Sequence, residues 1–495
     1  MDQEYYEQLY FRLLRKYYQQ FDRFITVRWG DCEDPAQIGP EDRNRAYKAL
    51  YAKIKNAHVA NRQTIRRWFG LGGRTLPTRT QIIKLALATG LSVSETVEYL
   101  QYGISQPGFQ ENEYREFIAM YCLDHKTGLE KCQEMIRFYE QKCHMESGWE
   151  QISHTDWLRE QYDIVKQYSE EEFLVWMYKN QKYFKGYSLT VLNCYRELMN
   201  QCLQIFRRGN EEELTKQLAE HGFFKWLKKV NDGYYDDEAI EQCRETKKIQ
   251  QYIRVKDIER FIKNRLRSPD PDSEEMIDPT DAVSMRNSIT IVYASRDRIC
   301  DLISGVYTEM PLWKKTGRKY KVYRTLRDQL QRVDAKYLSE MLNIAILKEQ
   351  QMRIQMEIAR TTDPKEKEKL EIKWRKSKAR VHLINRSDLL ILVQYIIFDR
   401  YRDAISSENI DKNVAREDFI NFANGIMESC GMRKIDESYM LDDVLLLCLD
   451  ESCAFSEVIS SAGEFDDSKI GLDETDAADA VDEAAGPSDL CSTEE

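Results

Sequence analysis

The residues best suited to recognition chemistry form one short basic string, Asn61-Arg-Gln-Thr-Ile-Arg-Arg-Trp68. On a helical wheel its apolar side chains fall on one side and its polar side chains on the other. The polar residues are Gln63, Arg66 and Arg67, with Arg62 and Thr64 at the margins. Arginine and glutamine make paired hydrogen bonds with guanine and adenine edges. The string therefore predicts a helix with one buried face and one face able to contact bases.

Helix start and stop signals surround this string. Asn61 is a good N-cap, and Gly70, Gly72 and Gly73 supply the left-handed conformation that ends helices. Two capping boxes follow, in which a Ser or Thr precedes a Glu or Gln by three residues. The four predicted helices are Ala46–Ala57, Asn61–Phe69, one opened by Thr78 and Gln81 and stopped by Thr89-Gly90, and one opened by Ser92 and Glu95.

The string lies within a stretch of one charge sign. Between Arg43 and Ser94 there are 11 Lys or Arg residues and no Asp or Glu, although 32% of the whole chain is charged. Such a surface displaces counterions from a phosphate backbone, and we include Arg74 and Arg79 among the predicted contacts. A solvated basic face is the alternative interpretation of the charge alone. The bases are Arg43, Arg45, Lys48, Lys53, Lys55, Arg62, Arg66, Arg67, Arg74, Arg79 and Lys84.

The string, the glycines after it, Pro77 and Leu85-Ala-Leu-Ala-Thr-Gly-Leu-Ser92 together resemble the lambda-repressor-like (Xre/Cro-type) helix-turn-helix family. Uncharacterised clostridial regulator-like proteins with a long helical body resemble the chain at the residues that follow, Tyr99-Leu-Gln-Tyr-Gly103, Pro107-Gly-Phe109 and Tyr114–Leu123. In the family the second helix of the motif reads the major groove of DNA. By position, the resemblance implies base contacts from Arg62, Gln63, Arg66 and Arg67, and phosphate contacts near Asn61 and Thr64. The turn at 57–60 lacks the glycine usual in the family.

The rest of the chain favours helix, because only 10 prolines and 21 glycines occur in 495 residues. We therefore expect an all-α protein with a helix-turn-helix module, a large multi-helix body and an acidic tail. The predicted divisions are 1–42, an N-terminal helix and connector; 43–110, the helix-turn-helix domain; 111–267, a helical domain; 268–283, an acidic proline-rich linker; 284–462, a second helical domain; and 463–495, a disordered tail.

Three segments of the body carry their own predictions. Ser268–Asp281 has three prolines, six acids and no base, which predicts a linker rather than a helix. Trp313–Arg327 mixes seven bases with aromatic residues and is either a second nucleic-acid contact or a surface loop. Lys321–Arg360 predicts one long helix, and after the Asp363 cap another follows to make an αα-hairpin.

The acidic tail accounts for the whole net charge. Residues 464–495 contain 12 acids and one lysine, so the remaining chain holds 72 bases and 72 acids. The net charge of −11 is therefore no argument against nucleic-acid binding. The tail either competes with DNA for the basic stretch or only improves solubility.

No motif for catalysis or for a cofactor is present. The chain lacks a phosphate-binding glycine loop, a nucleophile elbow and a zinc-protease helix, so we predict no enzyme and no cofactor. The spacing of Cys132, Cys143, His144 and His154 fits no familiar zinc module. Unpatterned cysteines, no leader at the start and no long apolar run predict a cytoplasmic protein that does not enter a membrane.

The leading hypothesis is a bacterial transcriptional regulator that binds double-stranded DNA. One recognition helix contacts few bases, so we expect a homo-oligomer, in the simplest case a dimer on paired half-sites. The helical body would then bind a protein partner or a small effector. The alternative is a protein-interaction scaffold that uses the helix-turn-helix fold for docking.

Overall fold

The protein is described from a computed structural model. The structure describes residues 12, 18, 20–32, 34–143, 155–231, 233–267, 277–304, 333–406, 412–450 and 455. These residues form helices and no strand, which confirms the predicted all-α class for this part of the chain. The predicted tail at 463–495 and the basic, aromatic segment Trp313–Arg327 lie outside the described residues.

The first part of the chain consists of short helices. A π-helical turn, Tyr99–Gly103, continues the fifth of them. The helices are α1 (Phe21–Trp29), α2 (Pro40–Ile54), α3 (Arg62–Trp68), α4 (Arg79–Thr89), α5 (Val93–Glu98), α6 (Tyr114–Asp124), α7 (Gly128–Lys142), α8 (Thr155–Val165) and α9 (Glu170–Lys179).

Longer helices occur in the second part. The helices are α10 (Leu189–Glu220), α11 (Phe223–Lys229), α12 (Asp237–Thr246), α13 (Ile249–Tyr252), α14 (Val255–Arg267), α15 (Pro279–Val292), α16 (Arg296–Ile303), α17 (Ala335–Leu342), α18 (Ile344–Arg360), α19 (Pro364–Lys378), α20 (Arg386–Ser406), α21 (Lys412–Ser429) and α22 (Met440–Asp450). No helix among the described residues is long and apolar enough to cross a membrane.

The predicted caps are confirmed where local sequence decides them. The Asn61 side chain accepts a hydrogen bond from the Thr64 amide at 2.7 Å, and α3 begins there. Thr78 with Gln81 and Ser92 with Glu95 form both capping boxes. Gly90 ends α4 in the left-handed conformation, with φ 73°.

Three predicted boundaries are wrong. Helix α2 begins at Pro40 and not near Ala46, because proline suits the first helical turn and the Asp42 carboxylate accepts the Gly39 amide at 2.9 Å. The predicted linker, 268–283, extends too far along the chain. Asp278 caps α15, and Pro279 is the first residue of that helix. The predicted helix at 321–360 is divided at Asn343 into α17 and α18, and 321–332 is outside the described residues.

The chain separates into two compact units, which are described individually. Among the described residues, the first comprises those up to Tyr195 and those from Glu340 onward, and the second comprises 196–304 with Val333–Ser339. These limits fall within α10 and α17, whereas the predicted boundaries of the helical body are at 110 and at 268–283. The second unit has its own apolar core, built around Phe223, Ile258 and Phe261.

Helices α1 to α4 and the π-helical turn Tyr99–Gly103 share one apolar core, here called the N-terminal core. Its fully buried side chains include Ile25, Leu50, Trp68 and Leu100. Helix α4 contributes Ile82 and Leu85 to this core, while its Ala86 and Leu87 belong to the next core, which α6 to α9 complete. Because one helix serves both cores, the first five helices are packed firmly onto the body of the first unit.

Candidate nucleic-acid interface

The predicted recognition helix, α3, is only seven residues long. Its inward side chains Ile65 and Trp68 are 1% and 0% exposed and lie in the N-terminal core. A helix of this length is not stable alone in water, so this burial and the Asn61 cap hold it in place. The N-terminal core therefore decides which residues of α3 face solvent.

The outward face of α3 is polar and accessible. Gln63, Arg66 and Arg67 are all exposed, while α3 packs against α1 and α2 through its other side. No acidic side chain of the described residues pairs with Arg66 or Arg67. These three residues can therefore approach an anionic or hydrogen-bonding surface without first breaking an ion pair.

Arg62 is exposed but is held at the side of α3. Its Nε donates a hydrogen bond to the Tyr47 hydroxyl at 3.3 Å, and its guanidinium lies 5.8 Å from the centre of the Tyr51 ring. The hydrogen bond to Tyr47 raises the pKa of Arg62, which keeps its full charge. Arg62 is thus oriented by α2, whereas Arg66 and Arg67 extend freely.

The two predicted phosphate-contacting residues, Asn61 and Thr64, differ in how much of the side chain is available to a phosphate. The Asn61 Oδ1 atom is occupied by the Thr64 amide, so only its Nδ2 group is left to donate to a phosphate. Thr64 is half-buried. Both side chains lie at the first turn of α3, on the same helix as Gln63, and both remain predicted contacts.

A glycine turn follows α3 and lies beside its outward face. Gly70, Gly72 and Gly73 have φ of 72°, 72° and 98°, a region that residues with a β-carbon rarely adopt. The Arg67 carbonyl accepts the amides of Gly70 at 3.1 Å and Thr75 at 3.3 Å, which folds the turn back onto the helix. A β-carbon at Gly72 would lie 3.7 Å from Gln63 Nε2.

The buried carboxylate of Asp22 supports this glycine turn from its inner side. Asp22 of α1 is 4% exposed and forms an ion pair with Arg43 of α2. Arg43 also donates to the Phe69 carbonyl at 3.0 Å, and Arg74 approaches the same Asp22 carboxylate at 3.4 Å. Arg74 therefore has one side engaged with Asp22, although its side chain is 59% exposed.

The structure removes Arg79 from the predicted phosphate contacts. Its side chain is 10% exposed and makes two hydrogen bonds of 2.6 Å to the carboxylate of Glu116 in α6. Two further hydrogen bonds of 2.6 Å reach the carbonyls of Pro107 and Gly108. With its donors occupied and its charge neutralised, Arg79 ties α4 to the body instead of facing a ligand.

The turn between α2 and α3, which contains no glycine, holds His58 in a left-handed conformation. This residue has φ 46°, the left-handed conformation that glycine adopts without cost. Its side chain is exposed, so the strain lies in the backbone alone. The position thus keeps the backbone geometry of a glycine turn while carrying an imidazole.

Sequence reasoning missed the part that α1 plays. It placed Phe21–Trp29 within the N-terminal helix and connector at 1–42, outside the helix-turn-helix domain, yet Phe21, Phe24 and Ile25 lie in the N-terminal core and Asp22 supports the glycine turn. The spacing i, i+3, i+4 of these apolar residues was a usable signal for a packed helix. The role of Asp22 had no such signal, because its partners are distant in sequence.

The four Cys and His residues whose spacing fits no familiar zinc module are only partly within the described residues. Cys132 and Cys143 are buried, while His144 and His154 lie outside them. In the described ranges no group of three or more His, Cys, Asp or Glu side chains is arranged to hold a metal ion.

Comparison of the chain with family models, curated proteins and solved structures finds no match in any of the three.

Proposed function

We propose that this chain is a sequence-specific DNA-binding protein and a bacterial transcriptional regulator. In this proposal α2 and α3 act as a helix-turn-helix, and α3 enters the major groove. Gln63, Arg66 and Arg67 contact base edges, Arg62 contacts a base at the margin, and Asn61, Thr64 and Arg74 contact the backbone.

The observation that carries the proposal is the outward face of α3. Its arginines are exposed and have no acidic partner among the described residues, while the opposite side of the helix is fully buried. Arginine and glutamine on one helix face match the donor and acceptor pattern of purine edges. Further exposed bases on α2 and the turn after it, Lys48, Lys53 and Lys55, suit neighbouring phosphates.

The short length of α3 favours action as a dimer, and the proposal places that dimer in the cytoplasm. A helix of seven residues spans about 10 Å and can contact three or four base pairs at most. Two copies on half-sites about 34 Å apart would supply the missing specificity. We expect the mass of the complex with its site to correspond to two chains, measured by analytical ultracentrifugation.

The decisive experiment selects bound fragments from a genomic library at physiological salt and sequences them. Wild-type protein is expected to enrich one motif. The triple variant Gln63→Ala, Arg66→Ala, Arg67→Ala should lose that enrichment, because each bidentate contact contributes about 1–3 kcal/mol of discrimination. These side chains are exposed, so the variant should fold normally, which its circular dichroism checks.

A matched control carries Lys48→Ala, Lys53→Ala and Lys55→Ala, three exposed bases outside α3. It should bind every fragment more weakly and still enrich the same motif, because phosphate contacts carry no sequence information. Absence of any motif with wild-type protein, or an unchanged motif with the α3 variant, would refute groove reading. Either result would favour the docking-scaffold alternative.

A further inference from the structure

Helix α19 has two halves of different charge. From Pro364 to Glu371 three lysines alternate with three glutamates. From Ile372 to Val381 there are five bases and no acid. The bases of this stretch, here called the basic end of α19, are Lys373, Arg375, Lys376 and Lys378 of the helix and Arg380 just after it.

The basic end is exposed and almost free of counter-charges. Lys373, Arg375, Lys376 and Lys378 are all exposed, and no acidic side chain of the described chain pairs with them. Arg380 differs, because its Nε lies 3.2 Å from the Glu340 carboxylate. Four unpaired positive charges thus occupy less than two helical turns.

The stability of the helix does not explain this arrangement. Cations in the last turn favour a helix, since its carboxyl end carries a partial negative charge. Like charges three residues apart, such as Lys373 with Lys376 and Arg375 with Lys378, oppose that gain. Trp374 lies between them, half-buried, with the Lys378 ammonium 5.2 Å from its ring centre. A surface of this kind is neutralised most fully by a polyanion.

The basic end is held at a fixed place in the first unit. Helix α19 packs on α18, α18 packs on α7, and α7 packs on α4. The Lys348 ammonium of α18 also pairs with the Glu113 carboxylate at 2.9 Å, and both side chains are largely buried. The pKa of Glu113, which burial raises, is brought below its ordinary value by Lys348, so this tie is charged at neutral pH.

The packing limits the distance to the candidate interface. Packed helix axes are about 8–10 Å apart, so three steps place α19 within about 30 Å of α4, which shares a core with α3. One turn of duplex DNA is about 34 Å long. A duplex of a few turns bound at α3 is therefore longer than the separation of α19 from α4.

We propose that the basic end of α19 is a second contact with the phosphate backbone of duplex DNA, independent of sequence. This inference rests on the proposed function for its biological role. The attraction of the basic end to phosphate depends only on the charges of α19 and not on base reading by α3. It assigns the C-terminal end of α19, which lies away from the turn that joins α18 to α19, to affinity, and it leaves specificity to α3.

The test measures the salt dependence of binding to a random-sequence duplex of about four helical turns. The variant Lys373→Gln, Lys376→Gln, Lys378→Gln removes three charges from the basic end. The matched control, Lys365→Gln, Lys367→Gln, Lys369→Gln, removes three exposed charges from the other half of the same helix. Each lost phosphate contact lowers the slope of log K against log salt by about 0.9, so the first variant should lose about 2–3 and the control almost nothing.

Equal slopes for wild type and both variants would overturn the inference, as would loss of binding to anionic phospholipid vesicles without loss on DNA. The α3 triple variant separates this result from the proposed function. If it loses its motif while the α19 variant keeps the wild-type slope, only the second contact fails. If wild-type protein enriches no motif while the α19 variant loses its slope, only the groove reading fails.

Discussion

Arginine has three different roles in the N-terminal helices, and burial separates them. Arg66 and Arg67 are exposed and unpaired among the described residues. Arg43 is nearly buried and joins Asp22 of α1 to the Phe69 carbonyl beyond α3. Arg79 is buried against Glu116. The same guanidinium group is therefore available for a ligand, for support of a turn or for attachment of α4 to the body.

The buried Arg79–Glu116 pair gives a prediction at the residue scale. Arg79→Ala leaves the Glu116 carboxylate buried without its partner, which costs about 3–5 kcal/mol of unfolding free energy. Urea denaturation followed by circular dichroism measures the loss. Arg67→Ala, an exposed arginine of the same stretch, is the control and should change stability by less than about 0.5 kcal/mol. Equal midpoints for the two variants would contradict the assigned role of Arg79.

At the scale of the element, α3 depends on its surroundings more than on its own sequence. Seven residues make too few internal hydrogen bonds to offset the cost of starting a helix. The cap at Asn61, the burial of Trp68 and the glycine turn after Phe69 supply what is missing. A short helix with three external supports presents its outward side chains in one orientation.

Helix α20 has a buried carboxyl group in its first turn. Asp388 is 2% exposed, and its Oδ2 accepts the Asn385 amide at 2.8 Å. Burial raises the pKa of Asp388 to about 7, although the hydrogen bond from that amide acts in the opposite direction. The folded protein therefore holds a proton on Asp388 at a pH where the unfolded chain, with a pKa of about 3.9, has released it.

The pH dependence follows from that difference. The contribution of Asp388 to stability is full below about pH 4 and declines as pH rises to about 7, by up to about 1.4 kcal/mol per pH unit. Asp388→Asn keeps an acceptor oxygen and carries no charge. The difference in unfolding free energy between variant and wild type should therefore grow from pH 4 to pH 7 in favour of the variant. A difference independent of pH would contradict an ionisable Asp388 in the fold.

At the scale of the whole molecule, charge is distributed very unevenly along the chain. Residues 464–495 carry a net charge of −11, and the remaining residues balance to zero. On the proposed function, this charge repels DNA from the same chain that attracts it through α3 and the basic end of α19. The size of this effect depends on ionic strength, because salt screens charges beyond about 10 Å at 0.1 M.

Truncation after residue 462 tests this effect. The shortened protein should bind a random-sequence duplex several-fold more tightly at about 0.01 M salt, because charges there interact over about 30 Å. The difference should shrink at physiological salt, where that distance is shorter. The control keeps the length of the tail and replaces its acids by Asn and Gln. Equal affinities of all three proteins at low salt, measured by fluorescence anisotropy, would dismiss any influence of the acidic tail on DNA.

The sequence by itself determined what depends on neighbouring residues. The caps at Asn61, Thr78 and Ser92, the glycine stop at Gly90 and the helical class all follow from interactions within a few residues. The buried side of α3 also follows, since helical periodicity places Ile65 and Trp68 together. Arg66 and Arg67 lie on the opposite side of the helix, so their exposure follows from the burial of Ile65 and Trp68.

Only the tertiary structure decided which charged residues are already occupied. Arg79 and Arg74 look alike in the sequence, yet the partner of Arg79 is 37 residues away in α6 and that of Arg74 is in α1. The divisions of the body likewise fall within α10 and α17, where no local signal marks them. Packing brings together residues that are distant in sequence, and local pattern carries no information about such pairs.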